Sequence, residues 1–138
     1  MAPTTAQTPA RLALLVIPPL LMMGLIFILS GQPSDNVDRA WWDVGLRKLA
    51  HVTEYAVLTF LWWRALRGLG IAGAALPAAI AISLLYACTD ELHQTFVDGR
   101  RGTPVDVAID SIGIAIAAVA ISIYARRRIR GPSRPMAA

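Results

Sequence analysis

Hydrophobic residues in this chain come in four long blocks, and the polar residues that interrupt them gather at particular block ends. Crossing a bilayer core takes about 20 apolar helical residues, with about 17 to 25 as the working range. Residues 12–29 are free of charged and polar side chains, although Pro18 and Pro19 are expected to kink the run. Residues 50–66 carry His51 and Glu54 in their first turns and, Arg64 near the far end apart, turn mostly apolar after them. Residues 71–88 hold no charge and contain Pro77, and residues 105–124 are apolar apart from Asp106, Asp110 and two serines. In lipid every backbone polar group must be satisfied within its own segment, so each block reads as a helix. The expected fold is therefore an all-α integral membrane protein of four transmembrane helices.

The first block is longer than the apolar region of a secretory signal and no A-x-A-like site follows it, so it reads as a retained helix. Composition agrees with a membrane chain: of 138 residues 56% are hydrophobic and only 16% charged, where a soluble domain carries about 25% charged residues. Cys88 is the sole cysteine, which excludes a disulfide scaffold. Net charge is +4, but its distribution points to topology and away from nucleic acid. With four spans, one side holds Arg11, Arg64, Arg67, Arg126, Arg127, Arg128, Arg130 and Arg134 without a single acid. The other holds all nine acids. Cationic flanks stay cytoplasmic, so both termini are expected inside. Trp62 and Trp63 then mark the inner interface, with Trp41 and Trp42 before the outer end of the second span.

Three regions follow: a flexible cytoplasmic tail over residues 1–11, the membrane domain over 12–124, and a basic cytoplasmic tail over 125–138. In the first outer loop Ser34 or Asp35 could cap a short interfacial helix, with Val37, Trp41 and Val44 on one face.

The chemistry collects at the outer ends of the spans. Lys48, His51, Glu54 and Tyr55 share one face of the second helix at helical spacing. The third block closes in Asp90, Glu91, His93 and Gln94, and the fourth opens with Asp106, Asp110 and Gly113. Glu54 and Asp110 lie too deep for capping to explain them, and carboxylates inside a membrane should face each other and a wet pocket. Asp106 has an alternative role, because Thr103-Pro104 before it looks like an N-cap and first-turn proline. Asp90 and Glu91 sit where the helix dipole disfavours anions, so Lys48, Arg100, a metal or a proton must offset them. Gly113 is expected to permit close helix approach.

Read together, these residues resemble the VanZ-like family of small membrane proteins. The matching features are Ser30-Gly31-Gln32, Lys48-x-x-His51-x-x-Glu54-Tyr55, Asp90-Glu91-Leu92-His93-Gln94 with Phe96-Val97-Asp98-Gly99-Arg100, and Asp106-x-x-x-Asp110-x-x-Gly113. The family takes its name from an accessory protein linked to reduced susceptibility to teicoplanin. The resemblance implies a bacterial cytoplasmic membrane and a role at the cell envelope, and the charge order puts the site on the extracytoplasmic side.

Two functional readings remain open at this level. In the first, the polar cluster acts on or binds a lipid-linked or envelope substrate. Glu54, Asp90, Asp110 and His51 are then the candidate catalytic groups. Lys48, Arg100, Gln94, Gln32, Ser30, Glu91 and Asp106 line the substrate. A divalent metal is a candidate cofactor, held by His51, Glu54, Asp90, His93 and Asp110, which are donors of the type Zn²⁺ or Mn²⁺ takes. In the second reading the protein is a non-enzymatic envelope factor, and the cluster is an ion network or a grip on a headgroup or glycopeptide. The expected partner in either case is the lipid bilayer, with no nucleic acid. Transport is the weaker option, because the inner halves of the spans hold almost no ionisable group.

Overall fold

The computed structural model describes residues 8–33, 41–100 and 102–129, the side chains of Trp41, Asp43 and Ile129 excepted. Four helices follow in chain order: α1 (Pro9–Ser30), α2 (Trp41–Gly68), α3 (Ala75–Gln94) and α4 (Pro104–Ile129). No strand occurs among the described residues. Prolines open α1 and α4, where a first-turn N–H has no partner to lose.

Contacts between helix ends fix an antiparallel order. The start of α1 meets the end of α2, where Leu15 lies against Gly68. Ser30 at the end of α1 bonds Asp90 near the end of α3, and His51 in α2 bonds Asp110 near the start of α4. The α2 helix touches all three others, whereas α1 and α4 do not touch each other.

Helix α1 runs unbroken through Pro18 and Pro19. Pro18 cannot donate to the carbonyl of Leu14, and Arg64 of α2 reaches that same oxygen with Nη1 at 3.5 Å. A neighbouring helix thus supplies a donor that the proline removed.

The molecule is apolar outside and partly polar within. Ile112, Ile116, Val119 and Ile123 form an exposed stripe along α4, and α1 exposes Leu14, Leu20, Leu21 and Ile28. Inside, Ile26, Tyr55, Leu58, Ala87 and Ile114 form the main apolar cluster. Beside it Thr59 donates to the carbonyl of Tyr55 at 2.8 Å and lies 3.0 Å from Ser83 Oγ. Small residues set the close contacts. A Cβ on Gly113 would lie 2.1 Å from the carbonyl oxygen of Val52, so α4 and α2 touch backbone to backbone there.

By length and composition α1, α3 and α4 can each cross a membrane. Helix α2 is long enough but is not among these candidates, since it carries Arg47, Lys48, Glu54, Arg64 and Arg67.

Several expected boundaries move. Ser34, Asp35 and Val37 lie outside the described residues, and Trp41 and Val44 are no part of a separate interfacial helix. They begin α2 itself, because helix-forming Leu46, Arg47, Lys48 and Leu49 carry the turn straight on. Helix α3 starts at Ala75 and not at 71. Gly70 at φ 92° makes the turn before it, and Pro77 then falls in the first helical turn. Helix α4 continues beyond 124 to Ile129, with Arg126, Arg127 and Arg128 in its last turn, where the dipole favours cations.

Candidate functional site

One face of α2 sets the floor and wall of a pocket. Val44, Arg47, Lys48 and His51 recur at three- and four-residue spacing and line a cavity of about 160 Å³. Asp106, Ile109 and Asp110 of α4 face them, Glu91 and Gln94 of α3 close the third side, and Arg100 stands at the edge. Most of the residues expected from sequence at this end of the spans therefore do converge, brought in by three helices and one loop.

At its centre His51 Nδ1 lies 3.1 Å from Asp110 Oδ1. Asp110 is fully buried, and its Oδ2 has no hydrogen-bond partner among the described residues. Ligand atoms of His51, Glu91 and Asp110 all lie within 4.8 Å of one another. Among the described residues this is the one His, Cys, Asp or Glu group with that spacing.

Glu91 is held rigidly. Its Oε2 accepts the main-chain N–H of Thr103 at 2.9 Å, and its Oε1 accepts from Gln94 Nε2 at 3.3 Å. Gly102 makes this possible, because a Cβ there would lie 1.9 Å from the Glu91 carbonyl oxygen. The loop can therefore press onto the end of α3 only with glycine at this position. Gln94 Nε2 also donates to Asp90 Oδ2 at 3.1 Å, while Arg100 Nη1 approaches Gln94 Oε1 at 3.5 Å.

Asp90 faces the other way. It accepts from Ser30 Oγ at 2.5 Å and joins α1 to α3. The donors set against the helix dipole at Asp90 and Glu91 thus include a hydroxyl, an amide and a main-chain N–H. His93 lies apart, stacked on Phe27 with ring centroids 4.2 Å apart. Glu54 lines a neighbouring hollow with Leu29, Gln32, Arg47, Ala50, His51 and Arg100. His51 borders both hollows, and Glu54 is within electrostatic reach of His51, Asp90 and Asp110.

Two expected ligand-binding residues have structural partners. Thr103 Oγ1 donates to Asp106 Oδ2 at 2.7 Å and accepts the Asp106 N–H at 3.3 Å, which is an N-terminal cap. Arg100 donates Nε to the Gln32 carbonyl at 2.9 Å and Nη2 to the Leu29 carbonyl at 3.2 Å. It caps the C-terminal end of α1, where free carbonyls accumulate. Gln32 Nε2 bonds back to the Ile28 carbonyl at 3.1 Å.

A model of the family described as VanZ/LLP1 matches residues 15–125. The chain belongs to the VanZ/LLP1 family. No curated protein and no solved structure matches it. The matched stretch takes in nearly all of α1 to α4, and with it every residue of the pocket. Membership makes this VanZ/LLP1 chain a membrane protein, in agreement with its three apolar helices.

The sequence did not single out Arg47 or the partnership of Glu91 with His51 and Asp110. Arg47 was legible in principle, one helical turn before His51 on the same face. The partnership of Glu91 was not, since it depends on how Gly102 and Thr103 pack against the end of α3. Chemically, an imidazole oriented by a buried carboxylate can serve as a base or as a metal ligand.

Proposed function

We propose that this protein resides in the bacterial cytoplasmic membrane with four spans, both termini inside, and holds the anionic headgroup of a lipid-linked envelope substrate in the His51–Glu91–Asp110 pocket. One observation carries the reading: three buried or half-buried proton-active groups converge beneath a rim of Arg47, Lys48 and Arg100. A pocket with acids at its base and cations at its mouth suits a headgroup that carries negative charge and exchanges a proton or a bond below.

That α2 is the fourth span is supported by its neighbours. A helix in contact with three others can turn Glu54, which is half-buried, toward its neighbours, while its exposed cations Arg47, Lys48, Arg64 and Arg67 lie toward its two ends, within reach of the interfaces. The arginines flanking Gly68 and ending α4 favour that end as the cytoplasmic one, which sets the pocket outside. The tie to teicoplanin susceptibility rests on the family's name.

A narrower role as an envelope factor without turnover is favoured by Asp106 and Arg100, whose partners are those of caps. Binding and turnover are separated by one experiment. Detergent-purified protein is incubated with a polyprenyl diphosphate lipid, with phosphatidylglycerol and with teicoplanin, and both melting temperature and product are followed. Stabilisation by the diphosphate lipid that is lost in Lys48→Ala supports the headgroup reading, and product formation assigns a reaction. No shift with any probe removes it. Topology is read with Cys88→Ser protein carrying Phe96→Cys or Ala72→Cys and a membrane-impermeant maleimide. Labelling of Phe96→Cys alone in intact cells is expected; the reverse pattern would invert the orientation.

A further inference from the structure

We propose that His51, Glu91 and Asp110 bind one divalent metal ion of the zinc or manganese type. The inference stands on this cluster alone, so it holds or fails independently of which headgroup the pocket takes.

Ligand spacing is the first support. Two donors about 2.0–2.2 Å from one ion, at the angles of tetrahedral or octahedral coordination, lie about 2.9–3.5 Å apart. The His51 Nδ1 to Asp110 Oδ1 separation of 3.1 Å falls in that window. A ligand atom of Glu91 lies within 4.8 Å of both others.

The second support is a polar atom with nothing to bond. Asp110 is fully buried, and its Oδ2 has no partner among the described residues. A buried carboxylate oxygen left without a partner is costly, and a cation beside it removes that cost. With two carboxylates contributing, a divalent ion leaves the cluster close to neutral.

Surroundings match a metal centre as well. Glu91 is oriented by Thr103 N–H and Gln94 Nε2, the kind of outer contacts that fix a ligating carboxylate. Three protein ligands from α2, α3 and α4 leave a coordination position facing the cavity that Lys48 and Arg47 also line. That is the arrangement of an open site and not of a closed structural one. An imidazole among the donors selects against Mg²⁺ and Ca²⁺, which take oxygen. The set differs from the one expected from sequence in admitting Glu91 and in leaving out Glu54, which lines the neighbouring hollow, Asp90, which accepts from Ser30, and His93, which stacks on Phe27.

The test uses full-length protein in detergent, stripped with chelator and titrated with ZnCl₂ and MnCl₂, with bound metal counted by mass spectrometry and melting followed. One ion per chain with metal-dependent stabilisation is expected. Glu91→Gln and Asp110→Asn should each weaken binding by more than about 100-fold, and Gln94→Ala by about 10–100-fold as an outer contact. His93→Ala should bind as the wild type does. Glu91→Gln keeps the side chain's shape, so its metal-free melting and monodispersity confirm a folded variant even where Asp110→Asn fails to fold. Folded wild type that takes up neither ion overturns the proposal. So does metal uptake that survives Glu91→Gln, or that is lost with His93→Ala.

Discussion

Where α2 and α4 begin, carboxylates are drawn inward; where they end, arginines are turned outward. At the first end Asp90, Glu91 and Asp110 are buried, each with named donors or with His51 beside it. At the second, Arg67 lies 5.2 Å over the Trp63 ring and Arg128 lies 5.4 Å over Tyr124, and both arginines are exposed. The difference follows from side-chain length and sign. Arginine has a stem long enough to lie along apolar surface while its head stays in water or against aromatic faces. A carboxylate has no such reach and must find its partners where it stands.

Backbone contacts sharpen the contrast most. Gly113→Ala puts a methyl against the Val52 carbonyl, which cannot turn aside, so a loss of about 3 kcal/mol is expected in detergent unfolding. Gly68→Ala at the other end would meet only the tip of Leu15, a flexible side chain. Its cost should be below about 1 kcal/mol. Equal losses would mean that α2 and α4 do not touch as described.

Next in size are the buried polar ties. Ser30→Ala leaves Asp90 short of a donor and should lower stability by about 1–3 kcal/mol, read from the unfolding midpoint. Tyr86→Phe removes a hydroxyl that donates to the Met23 carbonyl at 2.6 Å. The expected loss is about 1 kcal/mol. A change smaller in Ser30→Ala than in Tyr86→Phe would argue that the Asp90 bond carries no more than a neutral one.

Smallest is the expected effect of Arg67→Gln with Arg128→Gln on melting, which should be within error. Their effect should appear instead in maleimide topology mapping, as a fraction of chains inserted the other way.

Much of this architecture was readable from residue order. The four helices, the clustering of chemistry at one end, the Thr103 cap and the glycine contact at Gly113 all follow from local pattern, because spacing along a helix fixes which residues share a face. Family membership was legible because its motifs are short local patterns, and the family match over residues 15–125 spans them. Helix ends were less so. The start of α2 depended on residues 41–49 continuing a helix already favoured, which hydropathy alone treats as loop.

The sequence by itself determined which chemistry this protein carries and at which end, since hydropathy and charge order are properties of the chain. Only tertiary structure decided which side chains meet. Glu91 joins His51 and Asp110 because Gly102 lets the loop press against α3 and offer the Thr103 N–H. His93, two residues along the same helix, points to Phe27, because two residues of helix turn a side chain by about 200°.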